Sequence, residues 1–166
     1  MKLGEMMLPE FDQEMANTRK TLERVPMDKF GWKPHEKSMA LGHLVTLVAE
    51  MPGWFPMILD TQSFDYAPPG GAPRQPTSVK SRQELLDLFE RNTQAARTAI
   101  AKVEDDKLRE PWTLLAGGKP VFTLPKAAVL RDSLNHLIHH RAQLTVYFRL
   151  NGVPVPALYG PSADES

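Results

Sequence analysis

Three of the chain's five histidines fall within residues 136–140, in the stretch NHLIHHRAQL. Imidazole titrates near neutral pH and is the commonest side-chain ligand for divalent metals. In a helix each residue advances by about 100°, so His136 and His140 nearly stack while His139 diverges toward Asn135 and Val146. Two imidazoles one turn apart is the arrangement by which a single helix grips one metal ion. Ser133, Gln143 and Tyr147 share that face. The plainer reading is that the pair borders the apolar stripe of Leu130, Leu134, Leu137, Ile138, Leu144 and Phe148 as hydrogen-bonding packers. A third ligand decides between the two readings.

Candidates for that ligand lie earlier in the chain, where His43, Leu47, Glu50 and Trp54 recur at helical spacing. If this stripe faces His136 and His140, His43 is the natural third ligand. Glu50 would then serve as an oxygen ligand, as an acceptor orienting an imidazole, or as a general base. A competing role for Glu50 is counter-ion to Arg141, whose charge falls within the apolar stripe of the last helix and needs compensation. Arg141 and Tyr147 are also candidates for contact with a substrate. His35, in the turn KPHEKS, reads as a turn residue. Trp54, Phe55 and Trp112 are pocket walls or an interface, with core burial the plainer reading.

The elements that must position these groups are helical. Residues 9–25 carry Phe11, Met15, Thr18 and Leu22 on one side, with acids near the start. Ser38 is placed to cap a second helix over residues 39–60, in which Pro52 should produce a kink or bulge. Residues 61–81 hold four prolines and the Gly70–Gly71 pair, which argues against a regular element and for a surface excursion or a lid. A third helix follows Ser81, where Ser81 and Glu84 form a capping box ahead of Leu85, Leu86, Phe89, Ala96 and Ile100. Residues 111–124 read as a small hairpin-like excursion around Gly117–Gly118. The last helix opens at Thr123 and Pro125, runs over residues 126–150 and stops at Asn151–Gly152, ahead of a proline-rich tail packed irregularly on the surface. The expectation is an all-α four-helix bundle in a single domain over residues 1–166.

Composition narrows the chemistry. The chain has 166 residues, 42% hydrophobic and 24% charged, which suits one globular core. Twenty Lys and Arg balance twenty Asp and Glu, so the electrostatic footprint of a nucleic-acid binder is missing. There is no cysteine, which removes disulfides, zinc–thiolate sites and a cysteine nucleophile. The N-terminal residues lack a continuous apolar run, and residues 44–59 carry Glu50 and two prolines and are too short to span a bilayer. A cytoplasmic protein with no membrane or nucleic-acid partner is expected.

The segments FGWKPHEKSMALGHL, AEMPGW and HLIHHRAQLTVYFRLNGVPVPALYGPSADE resemble the DinB-like (DinB/YfiT) superfamily over nearly the whole chain. The resemblance implies a four-helix bundle, commonly a homodimer, holding a divalent metal (nickel, zinc or iron) through three histidines. Two of these, on an H-x-x-x-H in the last helix, match His136 and His140. The third would fall at residue 47, which is Leu47 here. His43 lies one turn earlier, a shift of about 6 Å along the axis. It either substitutes as the ligand or leaves the site incomplete. Characterised relatives include bacillithiol S-transferases and a mycothiol-dependent maleylpyruvate isomerase. By resemblance the chain is a metal-dependent enzyme, a thiol-dependent S-transferase or a hydrolase, acting on a small molecule with a low-molecular-weight thiol. The alternative is a non-catalytic bundle with a degenerate metal site, binding a small molecule or serving as a dimeric structural protein.

Overall fold

The computed structural model describes residues 2–71 and 77–166. Helix α1 spans Leu3–Leu22 and starts well before Pro9, which lies inside it. The first turn is held from two directions. The Glu5 carboxylate accepts from the Lys2 N–H at 3.2 Å, and Asp105 accepts from the Leu3 N–H at 2.8 Å. Carboxylates at a helix N-terminus satisfy donors that have no partner within the helix. That anchoring extends the helix beyond the point where the proline would have begun it. Phe11, Met15, Thr18 and Leu22 are all buried, as their spacing predicts.

The second helical stretch is broken at the proline. Helix α2 covers Leu41–Glu50, a 3₁₀ turn covers Met51–Gly53, and α3 covers Trp54–Asp60. The Asn92 side chain donates to the Ala49 carbonyl at 3.0 Å and so satisfies backbone at the break. Ser38 does not cap α2. Its N-terminal N–H groups, those of Leu41 and Gly42, instead donate to the carbonyls of Trp32 and Phe30, both at 2.9 Å.

Helix α4 (Arg82–Lys102) begins as its capping box predicts, with the Ser81 Oγ accepting from the Glu84 N–H at 3.1 Å. The return bond from Glu84 reaches the Lys80 N–H, one residue earlier than the standard box. The short helix α5 (Asp105–Arg109) leads into β2 (Pro111–Ala116) and β3 (Lys119–Pro125). Gly117 and Gly118 join the strands with φ of 61° and 77°, the left-handed pair that a tight hairpin requires.

The fold departs from an all-α expectation here. Ser63–Asp65, inside the proline-rich stretch, forms β1 and pairs in parallel with β2, making a three-stranded sheet in the order β1-β2-β3. Asp65 locks this arrangement, since its carboxylate accepts from the N–H groups of Ala67, Gly117 and Gly118. Burial pushes its pKa up, but these three backbone donors outweigh it and hold the carboxyl below its ordinary range. The expected lid function of residues 61–81 falls partly on 72–76, which lie outside the described residues.

Helix α6 (Lys126–Leu150) has the predicted bounds. Its end is a Schellman turn, with Val153 N–H donating to the Phe148 carbonyl and Gly152 N–H to that of Arg149, Gly152 having φ of 69°. Among the described residues, α1 packs on α4 and α6, and α2 packs on the same two helices, around one continuous apolar core. No described helix is long and apolar enough to cross a membrane. The tail is tied down by charge. Asp164 pairs with Arg149 at 2.5 Å, Glu165 with Arg24, and Ser162 Oγ donates to the Val155 carbonyl at 2.7 Å.

Candidate functional site

His136 and His140 project from successive turns of α6, and their Nε2 atoms are 2.9 Å apart. His140 is buried and His136 keeps an exposed edge. Gln143 bridges the cluster. Its amide meets Nδ1 of His140 at 2.8 Å and Nε2 of His139 at 3.0 Å. The remaining ring nitrogen of His136, Nδ1, has no partner among the described residues. Partial burial, then the charges His140 and His139 would carry, lower the His136 pKa.

The His136 ring tilts against Trp54 with centroids 5.6 Å apart, and both line a cleft of about 940 Å³. α3, α6 and the sheet enclose it, and Met57, Phe64, Leu114 and Phe122 form much of its apolar wall. Glu50, Asp132 and Ser133 add oxygens to the rim. Glu50 accepts from the Thr77 N–H at 3.3 Å and from the Thr77 hydroxyl. A mostly apolar cleft with a few convergent polar groups is the usual form of a small-molecule site.

The residues singled out in the sequence divide between this place and others. His136, His140 and Glu50 are at or beside the cleft. His43 is exposed on α2, and Leu47 is half-buried against the core. Among the described residues no group of three His, Cys, Asp or Glu lies close enough to hold a metal ion. Tyr147 is buried two turns beyond His140, where its hydroxyl donates to the Met39 carbonyl at 3.1 Å and its ring meets Trp32. Arg141 is 1% exposed, and its counter-ion is Glu14 on α1 at 2.6 Å, which corrects the pairing with Glu50. The guanidinium also donates to the Glu14 carbonyl, to the Thr18 hydroxyl at 3.2 Å and to the Tyr159 hydroxyl. Glu14 falls between Phe11 and Thr18 on the buried face of α1, so an acid within that stripe was the signal available for this pair. Gln143, Phe64 and Phe122 were missed as site residues. Gln143 was visible only as a polar neighbour on the histidine face, and the two phenylalanines reach the cleft through a sheet that periodicity did not reveal.

The model of the DinB family matches residues 2–166. Among solved structures, a DinB-like protein of Bacillus subtilis, YjoA, superposes with a TM-score of 0.70 at 19% identity, over 94% of this chain and 99% of its own. A DinB-like protein of Bacillus cereus ATCC 10987 gives a TM-score of 0.67 at 21% identity, over 93% and 97% of the two chains. These likenesses are in fold. The uncharacterized protein YrdA of Bacillus subtilis strain 168 is 40% identical over 42 residues, so the match spans a quarter of either chain.

Proposed function

This chain belongs to the DinB family, and from that premise we propose that it is a small-molecule-binding member whose site is the cleft between α3, the sheet and α6. The observation that carries this reading is the half-satisfied His136–His140 pair at the edge of an apolar cleft of about 940 Å³. Apolar burial supplies the affinity, and the unpaired ring nitrogen that His136 has among the described residues orients the ligand. The cleft is large enough for a drug-sized molecule.

The three-histidine metal site implied by the resemblance is not matched by the residues present. Leu47 brings an apolar side chain where the third imidazole is expected, and His43 is exposed. Two nitrogen donors alone bind a divalent ion weakly, since ligand number and geometry set affinity. The second reading, a metal-dependent transferase or hydrolase using a small thiol, draws its support from the convergence of the two Nε2 atoms, with the Gln143 amide bonded to the far nitrogen of His140.

Ligand-observed NMR with a library of small aromatic and aliphatic compounds tests the first reading, run on the wild-type chain and on Trp54→Ala. Hits lost in the variant support the cleft. An equal set of hits in both proteins, or none in either, retires it. Elemental mass spectrometry on untagged protein incubated with nickel and zinc addresses the second reading. About one ion per chain, lost in His140→Ala, would put the metal-dependent enzyme first.

A further inference from the structure

We propose that the cleft selects aromatic ligands bearing a protonated amine and discriminates against aromatic carboxylates, an inference that rests on the cleft being the binding site. Two independent features lead to it. The walls present the side chains of Trp54, Phe64 and Phe122, flat surfaces whose ring faces are electron-rich. The charged group offered to a ligand at the α6 edge is a carboxylate. Asp132 is one helical turn before His136 and lines the same cleft, and its carboxylate has no hydrogen-bond or ion-pair partner among the described residues.

The other oxygens of the rim do not compete for this role. Asp65 is committed to the three N–H groups of its turn, and Glu50 is already engaged by Thr77. Among the described lining residues there is no lysine or arginine to receive an anion. Against these described lining residues a carboxylate or phosphate loses its hydration without gaining a cation, which is the costly direction of transfer. An ammonium group set between Asp132 and the face of an aromatic ring gains both an ion pair and a cation–π contact.

A matched series on one ring tests the charge preference: 2-naphthylmethylamine, 2-naphthylmethanol and 2-naphthoate, titrated by calorimetry at pH 7 into the wild-type chain and into Asp132→Asn. The amine is expected to bind at least about tenfold tighter than the carboxylate, with the alcohol between them. Asp132→Asn should collapse the gap between amine and alcohol. Asp132 is exposed, so this variant folds as the parent does. Carboxylate binding equal to or tighter than amine binding overturns the inference alone, as does a gap indifferent to Asp132→Asn. Failure of all three compounds, the neutral alcohol included, overturns the cleft as a ligand site and the inference with it.

Discussion

Arg141 and His140 are neighbours in sequence and leave α6 in different directions, and their surroundings differ in one respect. The arginine enters a closed network. Its guanidinium bonds the carboxylate and carbonyl of Glu14, the hydroxyl of Thr18 and that of Tyr159, and Tyr159 donates in turn to Glu14 at 2.7 Å. The histidine joins an open one, in which the chain from His139 through Gln143 and His140 ends beside a cleft, at a nitrogen of His136 with no partner among the described residues. A buried charge that is fully satisfied holds helices together and has nothing left for a ligand. A chain of polar groups that stops at a cavity has an interaction to offer. Both clusters looked like candidate chemistry in the sequence, and saturation is what separates them.

The sharpest way to break this comparison is to remove Arg141. Arg141→Met leaves the Glu14 carboxylate, 5% exposed, without its cation. Such a loss costs about 3–5 kcal/mol, whereas a joint Arg141→Met, Glu14→Leu replacement should recover much of it. His136→Leu should cost no more than about 1 kcal/mol, because the group it removes is half-satisfied and keeps an exposed edge. Urea denaturation of the three variants measures both sides. A His136 variant as unstable as the Arg141 variant would mean that the histidine chain is structural as well.

The open cluster can be sharpened by completing it. Leu47→His places an imidazole where the resemblance expects the third ligand, and nickel or zinc affinity by calorimetry should rise at least about tenfold over the parent. His43→Ala should leave metal affinity as it was. A drop in that variant would show His43 reaching the pair despite its exposed place on α2. A smaller effect is expected at Gln143. Gln143→Leu removes the amide bonded to His140 and His139, with a stability loss of about 1 kcal/mol. Nitrogen-15 shifts of these two rings should then move, since both lose that partner.

The helices were legible because their signals are local. Ser81 with Glu84 marked the start of α4, Asn151–Gly152 marked the end of α6, and Pro52 marked the break between α2 and α3. Gly117–Gly118 announced the hairpin for the same reason. Strand β1 was not legible, since Ser63–Asp65 is three residues long and is strand only because β2 lies beside it. That pairing is parallel and joins residues about fifty positions apart, which no window of periodicity contains. The cleft was lost with it, because Phe64 and Phe122 stand on this sheet. Helical spacing brought His136 and His140 together correctly, since four residues on one helix fix their geometry. It could not place His43, whose direction depends on how α2 turns against α6. The counter-ion role offered to Glu50 is corrected for the same reason, since packing between helices decides which acid meets Arg141.

The tail supplies the gentlest test, because it touches the closed cluster through Tyr159 while none of its residues lines the cleft. Two carboxylates hold it. The bond from Arg149, then that from the Val155 N–H, lowers the Asp164 pKa, and the bond from Arg24, then that from the Ala157 N–H, lowers that of Glu165. A carboxyl whose pKa is lower folded than unfolded contributes stability that is present above its unfolded pKa and lost as pH falls through its folded one. Acidification below about pH 4 should therefore loosen residues 155–166 ahead of the helices, seen as faster amide exchange at Ala157 and Glu165. Both ion pairs are partly solvent-exposed, so the global midpoint should move little. Arg24→Gln should reproduce the loosening of the tail at neutral pH. Ligand affinity in that variant should equal that of the parent, because the cleft draws its walls from α3, the sheet and α6. A parallel loss of tail protection and ligand binding would show that the two clusters on α6 act as one unit and that saturation does not separate structure from site here.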